Sequence, residues 1–182
     1  MSDDVTSRLR CVTPPASEPV TLAEAKLFLR VDTDDEDDVV TLAISAARQA
    51  CEQFLSSAIL PQSWSFAVGQ IGWRRVALPF GPVNAVTSAV VTNCDGSSVT
   101  LDAGAYKIGV DGFSIFFEPV PPGDVLTVNY SASMAATAGD VPVLLQQGML
   151  HHIAAIYEAR DGSAPMPAAS VQAYQPFRRV RL

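Results

Sequence analysis

Cysteine and histidine are scarce in this chain of 182 residues, and what is missing removes several functions at once. Cys11, Cys51 and Cys94 are odd in number and far apart, so they form neither a disulfide framework nor a metal-ligand spacing. They read as small hydrophobes in a reducing compartment. His151 and His152 are adjacent; on a helix they point about 100° apart, so they cannot share one metal as an i, i+4 pair would. G-x-S-x-G, P-loop and dinucleotide glycine motifs are missing, and no cofactor is expected. No apolar run approaches the roughly 18 residues of a membrane span. The opening Met1-Ser2-Asp3-Asp4 has neither a basic nor an apolar leader region, which predicts a cytoplasmic protein.

Hydrophobic residues make up 48% of the chain, ample for a folded interior. The net charge of −7 is unevenly spread. Residues 1–40 hold ten acids against four bases, a net of −6, whereas residues 170–182 hold three arginines and no acid. An acidic body disfavours tight nucleic-acid binding, and opposite charges at the two ends can join copies or partners.

Along the chain, Pro14, Pro15 and Pro19 mark residues 1–20 as an extended arm. A helical part follows over 21–60. Thr21 and Glu24 have capping-box spacing before a short helix that ends near Val31. The acidic step Asp32 to Asp38 leads into a long helix over about 35–57, its acids favoured by the N-terminal dipole. The polar stripe of that helix (Thr41, Ser45, Arg48, Glu52, Ser56) is narrow, so the helix must be covered on two sides. Ala43, Ala46, Ala47 and Ala50 permit close backbone approach, within the fold or between subunits.

Residues 61–133 read as a β-rich insertion with strands over 63–68, 74–78, 83–92, 97–101, 106–110, 114–117 and 125–130. Asp95-Gly96 and Asp111-Gly112 have hairpin-turn composition. A late core helix is predicted over 140–161, with Asp140 as its cap and Pro142 in its first turn. Leu145, Met149, Ile153 and Ile156 share one face of it, expected to pack on the long helix. Residues 162–182 form a linker and a basic, aromatic docking tail. The fold class is thus α+β, a helical core with an inserted antiparallel β domain and an extended C-terminal tail.

Two clusters bear on function. Asp32, Asp34 and Glu36 alternate like the first ligands of a calcium loop. However, the turn-forming glycine is replaced by Asp37 and the closing glutamate by Ala43, so the run reads as a solvated helix start. In the tail, Tyr174, Phe177 and Val180 recur every third residue among Arg178, Arg179 and Arg181, a pattern suited to an acidic groove on a partner.

Several segments recur in a known order: Thr21-Leu22-Ala23-Glu24-Ala25-Lys26, Leu29-Arg30-Val31-Asp32, Cys51-Glu52-Gln53-Phe54, Leu78-Pro79, Gly81-Pro82-Val83, Val141-Pro142, Tyr157-Glu158-Ala159-Arg160 and Pro176-Phe177-Arg178-Arg179. With this order the chain resembles, from about Pro19 to Leu182, the head-tail connector (adaptor) proteins of long-tailed bacteriophages, prophages and gene transfer agents. The resemblance implies a non-enzymatic virion protein that forms a homo-oligomeric ring, a dodecamer, under the portal. Such a ring extends the DNA channel towards a stopper or tail-proximal protein, is assembled in the bacterial cytoplasm and lets DNA pass without specific binding. It also implies a portal-binding tail carried here by Tyr174, Pro176, Phe177, Arg178, Arg179 and Arg181. The residues expected to face the channel are Asp34, Asp35, Glu36, Asp37 and Asp38. The segment from Ala164 to Ala173 departs from the family in being more Ala-rich and less helical. The rival readings are a tail-completion or terminator ring on the other side of the joint, and a capsid-associated hydrolase, which would need a catalytic cluster the sequence lacks.

Overall fold

Alternation of apolar and polar residues builds the β part of the chain, and 3.6-residue periodicity builds the helical part. The computed structural model describes residues 7–69, 74–159 and 165–179. The chain divides into two compact units, one of residues 1–15 with 61–134 and one of 16–60 with 135–182.

The first unit contains strands β1 (Ser7–Thr13), β2 (Gln62–Gly69), β3 (Arg75–Ala77), β4 (Val83–Thr92), β5 (Ser98–Thr100), β6 (Tyr106–Ile108), β7 (Ser114–Phe117) and β8 (Val125–Ala132). Five form an antiparallel sheet in the order β1-β2-β8-β4-β5, and three form a second sheet in the order β3-β7-β6. In the central strand β8, Leu126, Val128, Tyr130 and Ala132 alternate inward. The register sets Val128 between Phe66 of β2 and Ala89 of β4, so one row of side chains crosses the sheet interior. The turns at Gly96 and Gly112 have φ of 86° and 66°, a left-handed conformation that glycine adopts without strain. Residues 7–13, expected as part of an extended arm, instead supply β1, paired with β2 from Ser7↔Val68 to Thr13↔Ser63.

The second unit holds α1 (Leu22–Leu29), α2 (Asp37–Leu55), α3 (Val143–Ala159) and α4 (Ala168–Tyr174). Thr21 and Glu24 close the capping box that starts α1, with the Thr21 N–H donating to Glu24 Oε2 over 2.8 Å. Arg30 and Ser56 end α1 and α2 in the left-handed conformation. Asp140 does not cap α3. Its carboxylate accepts from the Thr137 N–H and hydroxyl, closing a short turn, while the Pro142 carbonyl receives the first helical bonds of α3. Val40, Ile44, Ala47, Cys51 and Leu55 of α2 meet Leu145, Met149 and Ile153 of α3 in a common core. Within it Arg48 pairs with Glu18 at 2.7 Å and with Glu52 at 2.8 Å. Glu52 also accepts the Ile59 N–H at 3.0 Å, tying the end of α2 to the chain that leaves it. Burial opposes the charge on Arg48, yet Glu18 and Glu52 hold its pKa above the ordinary value.

Candidate interaction surfaces

The acidic run at the start of α2 is only partly free. The Lys26 ammonium reaches Asp34 at 2.7 Å and Asp37 at 2.6 Å. Hydrogen bonds from Lys26 hold the Asp34 carboxyl below its usual range, while those to Asp34 and then Asp37 raise Lys26. Glu36 accepts the Tyr157 hydroxyl. Of the residues expected to face a channel, Asp34, Asp35 and Asp38 are exposed, and Glu36 and Asp37 are half-buried. Among the described residues, no three His, Cys, Asp or Glu side chains come together as metal ligands.

The basic tail starts from a fixed root. Tyr174, at the end of α4, is fully buried, with its ring 6.0 Å from that of Phe54. It lies against Gly148 of α3, where a Cβ would stand 2.4 Å from Tyr174 Cε1. Ser170 Oγ donates to the Gly148 carbonyl at 2.7 Å, so α4 is stitched to α3 where the missing side chain lets it approach. Burial pushes the Tyr174 hydroxyl well above its usual range and the neighbouring Cys51 thiol up to about 12. Tyr174 therefore anchors the tail to the body instead of projecting to a partner, and the surface-exposed part begins at Gln175. Pro176 and Arg178 are exposed, while Phe177 and Arg179 are half-buried. The Arg178 guanidinium lies 5.2 Å from the centre of the Phe54 ring. Gln53, Phe54, Leu55, Ser56, Gln175, Arg178 and Arg179 line an open cavity of about 680 Å³. Arg181 and Val180 lie outside the described residues.

The small-residue face of α2 is divided. Ala43 and Ala47 are buried in the core, whereas Ala46 and Ala50 are half-buried and line a groove with Ala43, Val39 and Leu42. His152 is buried and borders the same groove, and burial lowers its pKa. His151 is exposed, its ring edge-on to Phe28 at 5.5 Å.

One surface has no counterpart in the sequence reading. On the three-stranded sheet, Arg75, Phe116 and Lys107 lie side by side in register, all exposed, with Arg75 stacked 5.8 Å from the Phe116 ring and paired with Asp111 at 2.9 Å. Strand alternation alone places three such residues outward, but only the pairing of β3, β7 and β6 makes them neighbours.

The helical unit is thus anchored internally by ion pairs and carries apolar and charged residues on its exposed faces. Comparison with known proteins adds to this. Residues 19–99 match the family model described as phage gp6-like head-tail connector protein. Among solved structures, a chain from the neck of an empty gene transfer agent particle, computed with C6 symmetry, superposes with a TM-score of 0.78 at 24% identity, covering 96% of this chain and 97% of the other. A chain from the virion of a native gene transfer agent particle gives a TM-score of 0.73 at 26% identity, covering 96% of each chain. A chain from the neck of the native particle, computed with C12 symmetry, gives 0.70 at 24% identity, covering 96% of this chain and 97% of that one. None of the curated proteins matches. The chain is thus similar to phage gp6-like head-tail connector proteins over residues 19–99 and shares its fold along nearly its whole length with chains of gene transfer agent particles.

Proposed function

We propose that copies of this chain close into a ring, a dodecamer, at the neck of a phage or phage-like particle, extending the DNA exit channel and joining the portal to a stopper or tail-proximal protein. The observation that carries this reading is the family match over residues 19–99 together with a fold shared along 96% of the chain with a gene transfer agent virion protein. The C6 and C12 symmetry of the neck structures it resembles supports a closed ring. Portal docking falls to Pro176, Phe177, Arg178, Arg179 and Arg181, with Tyr174 as the internal root that holds them in place. The exposed Asp34, Asp35 and Asp38 give the lumen a charge that repels the DNA backbone and lets it slide. Assembly takes place in the bacterial cytoplasm, the protein works without a cofactor, and its part is structural.

The test is a chain that ends at Tyr174, leaving the buried anchor intact. It is expected to keep the circular dichroism of the full chain, to lose binding to isolated portal, and to give heads without tails. Normal joining of portals by this shortened chain would show that the tail is not the docking element.

A further inference from the structure

The groove beside α2 has a volume of about 820 Å³ and is lined by Val39, Leu42, Ala43, Ala46, Ala50 and Ile156 among others. Val39 is 54% and Leu42 71% exposed, a large apolar area for a single chain to leave in water. Positions 39, 42, 46 and 50 follow steps of three, four and four along α2, the seam spacing of helix-on-helix packing. The alanines at its centre allow a neighbour to approach closely.

A second apolar corner lies on α1, where Leu27 is 81% and Phe28 43% exposed. Within one chain Phe28 packs against His151 and does not line the groove. Charge singles out the match between the two patches. Lys26 occupies Asp34 and Asp37, which leaves Asp35 and Asp38, both exposed and without an ion pair among the described residues, at the groove end of α2. Arg30, two residues beyond Phe28, is likewise exposed and has no ion pair among the described residues. An apolar pair followed by a free cation thus has its complement in an apolar groove preceded by free anions.

Building on the ring reading above, we propose that Leu27 and Phe28 of one copy enter the α2 groove of the next, with Arg30 facing Asp35 and Asp38 of that neighbour. Because the two patches differ, the contact is head-to-tail, the kind that closes a ring instead of stopping at a dimer.

The test uses the full chain with the exposed Cys11 and Cys94 changed to serine and the buried Cys51 kept. Phe28→Cys and Leu42→Cys are introduced singly and together, and protein assembled with isolated portal is treated with a short bis-maleimide. On a denaturing gel the doubly substituted chain is expected to give a ladder rising to the full ring, a mixture of the two single variants dimers only, and each single variant monomers. Rings visible by electron microscopy without any ladder would overturn this contact and leave the ring reading intact. A chain that binds portal without forming a ring would overturn both. Independently of cysteine chemistry, Arg30→Glu is expected to reduce ring formation at least tenfold, and Asp38→Arg in the same chain to restore it. Unchanged assembly of Arg30→Glu would also refute the pairing.

Discussion

Single residues inside the helical unit carry charge where water cannot reach it. Arg48 and Glu52 have side chains only 6% and 4% exposed, and each satisfies the other while Glu18 and the Ile59 N–H complete the network. Breaking one side of such a pair costs about 3–5 kcal/mol, because the remaining charge is left without its partner. Glu52→Ala is therefore expected to lower unfolding stability by about that amount in urea titration, and Arg48→Met with Glu52→Leu to recover much of the loss. A loss below about 1 kcal/mol for Glu52→Ala would show that the network is decorative. His152 gives a second, pH-dependent handle. Burial lowers its folded-state pKa from 6.5, so the folded protein holds the imidazole neutral while the unfolded chain takes up a proton. Its contribution is complete above about pH 6.5 and is lost as pH falls through the depressed folded value. The urea midpoint of the natural chain is expected to drop between about pH 7 and pH 5 more steeply than that of His152→Gln. Parallel slopes would contradict this.

At the scale of elements, α3 and α4 meet through an absence. Replacing glycine by alanine inside a helix ordinarily gains up to about 1 kcal/mol in propensity. At position 148 the added Cβ would meet Tyr174 at 2.4 Å and Ala173 at 2.9 Å, both in a packed interior. Gly148→Ala is thus expected to destabilise by about 1–3 kcal/mol and to loosen α4, seen as faster hydrogen exchange over 168–174. Stabilisation would mean that α4 does not depend on this contact. The same element marks the limit of what sequence reveals. The seven strands from β2 to β8 are legible, β8 from its alternating buried face and the fully exposed β5 from the Asp95-Gly96 turn before it, and α1 announces itself through Thr21 and Glu24. β1 is not legible, since an edge strand with exposed Arg8 and Arg10 and a half-buried Leu9 has no continuous apolar face to display. α4 is hidden for another reason: its Ala-rich run is short, and its burial through Ser170, Ala173 and Tyr174 comes from contact with α3 far away in sequence. The available signal was Gly148, a glycine inside an otherwise strong helical pattern. Among site residues, the tail arginines stand out in composition alone, whereas Lys26 neutralising two of the acids and the Arg75, Phe116 and Lys107 row exist only after folding.

For the molecule as a whole, one protomer explains its own stability but not its surface. Buried ion pairs and a shared α2–α3 core complete the helical unit, while Leu27, Phe28, Val39 and Leu42 remain in water. Exposed apolar patches of that kind call for neighbours, and repeating a weak head-to-tail contact around a ring multiplies its effect without any single strong interface. In the proposed ring the tail is a second grip, the Arg178 and Phe54 pair beside the buried Tyr174 serving a partner above or below it. The most direct measurement is electron microscopy of assembled particles in which a small tag is inserted at the exposed Asp95-Gly96 turn. Tag density encircling the channel between the portal and the tail is the expected result; tag on the capsid shell, or particles without it while the chain persists as a monomer in the cell, would contradict a connector role.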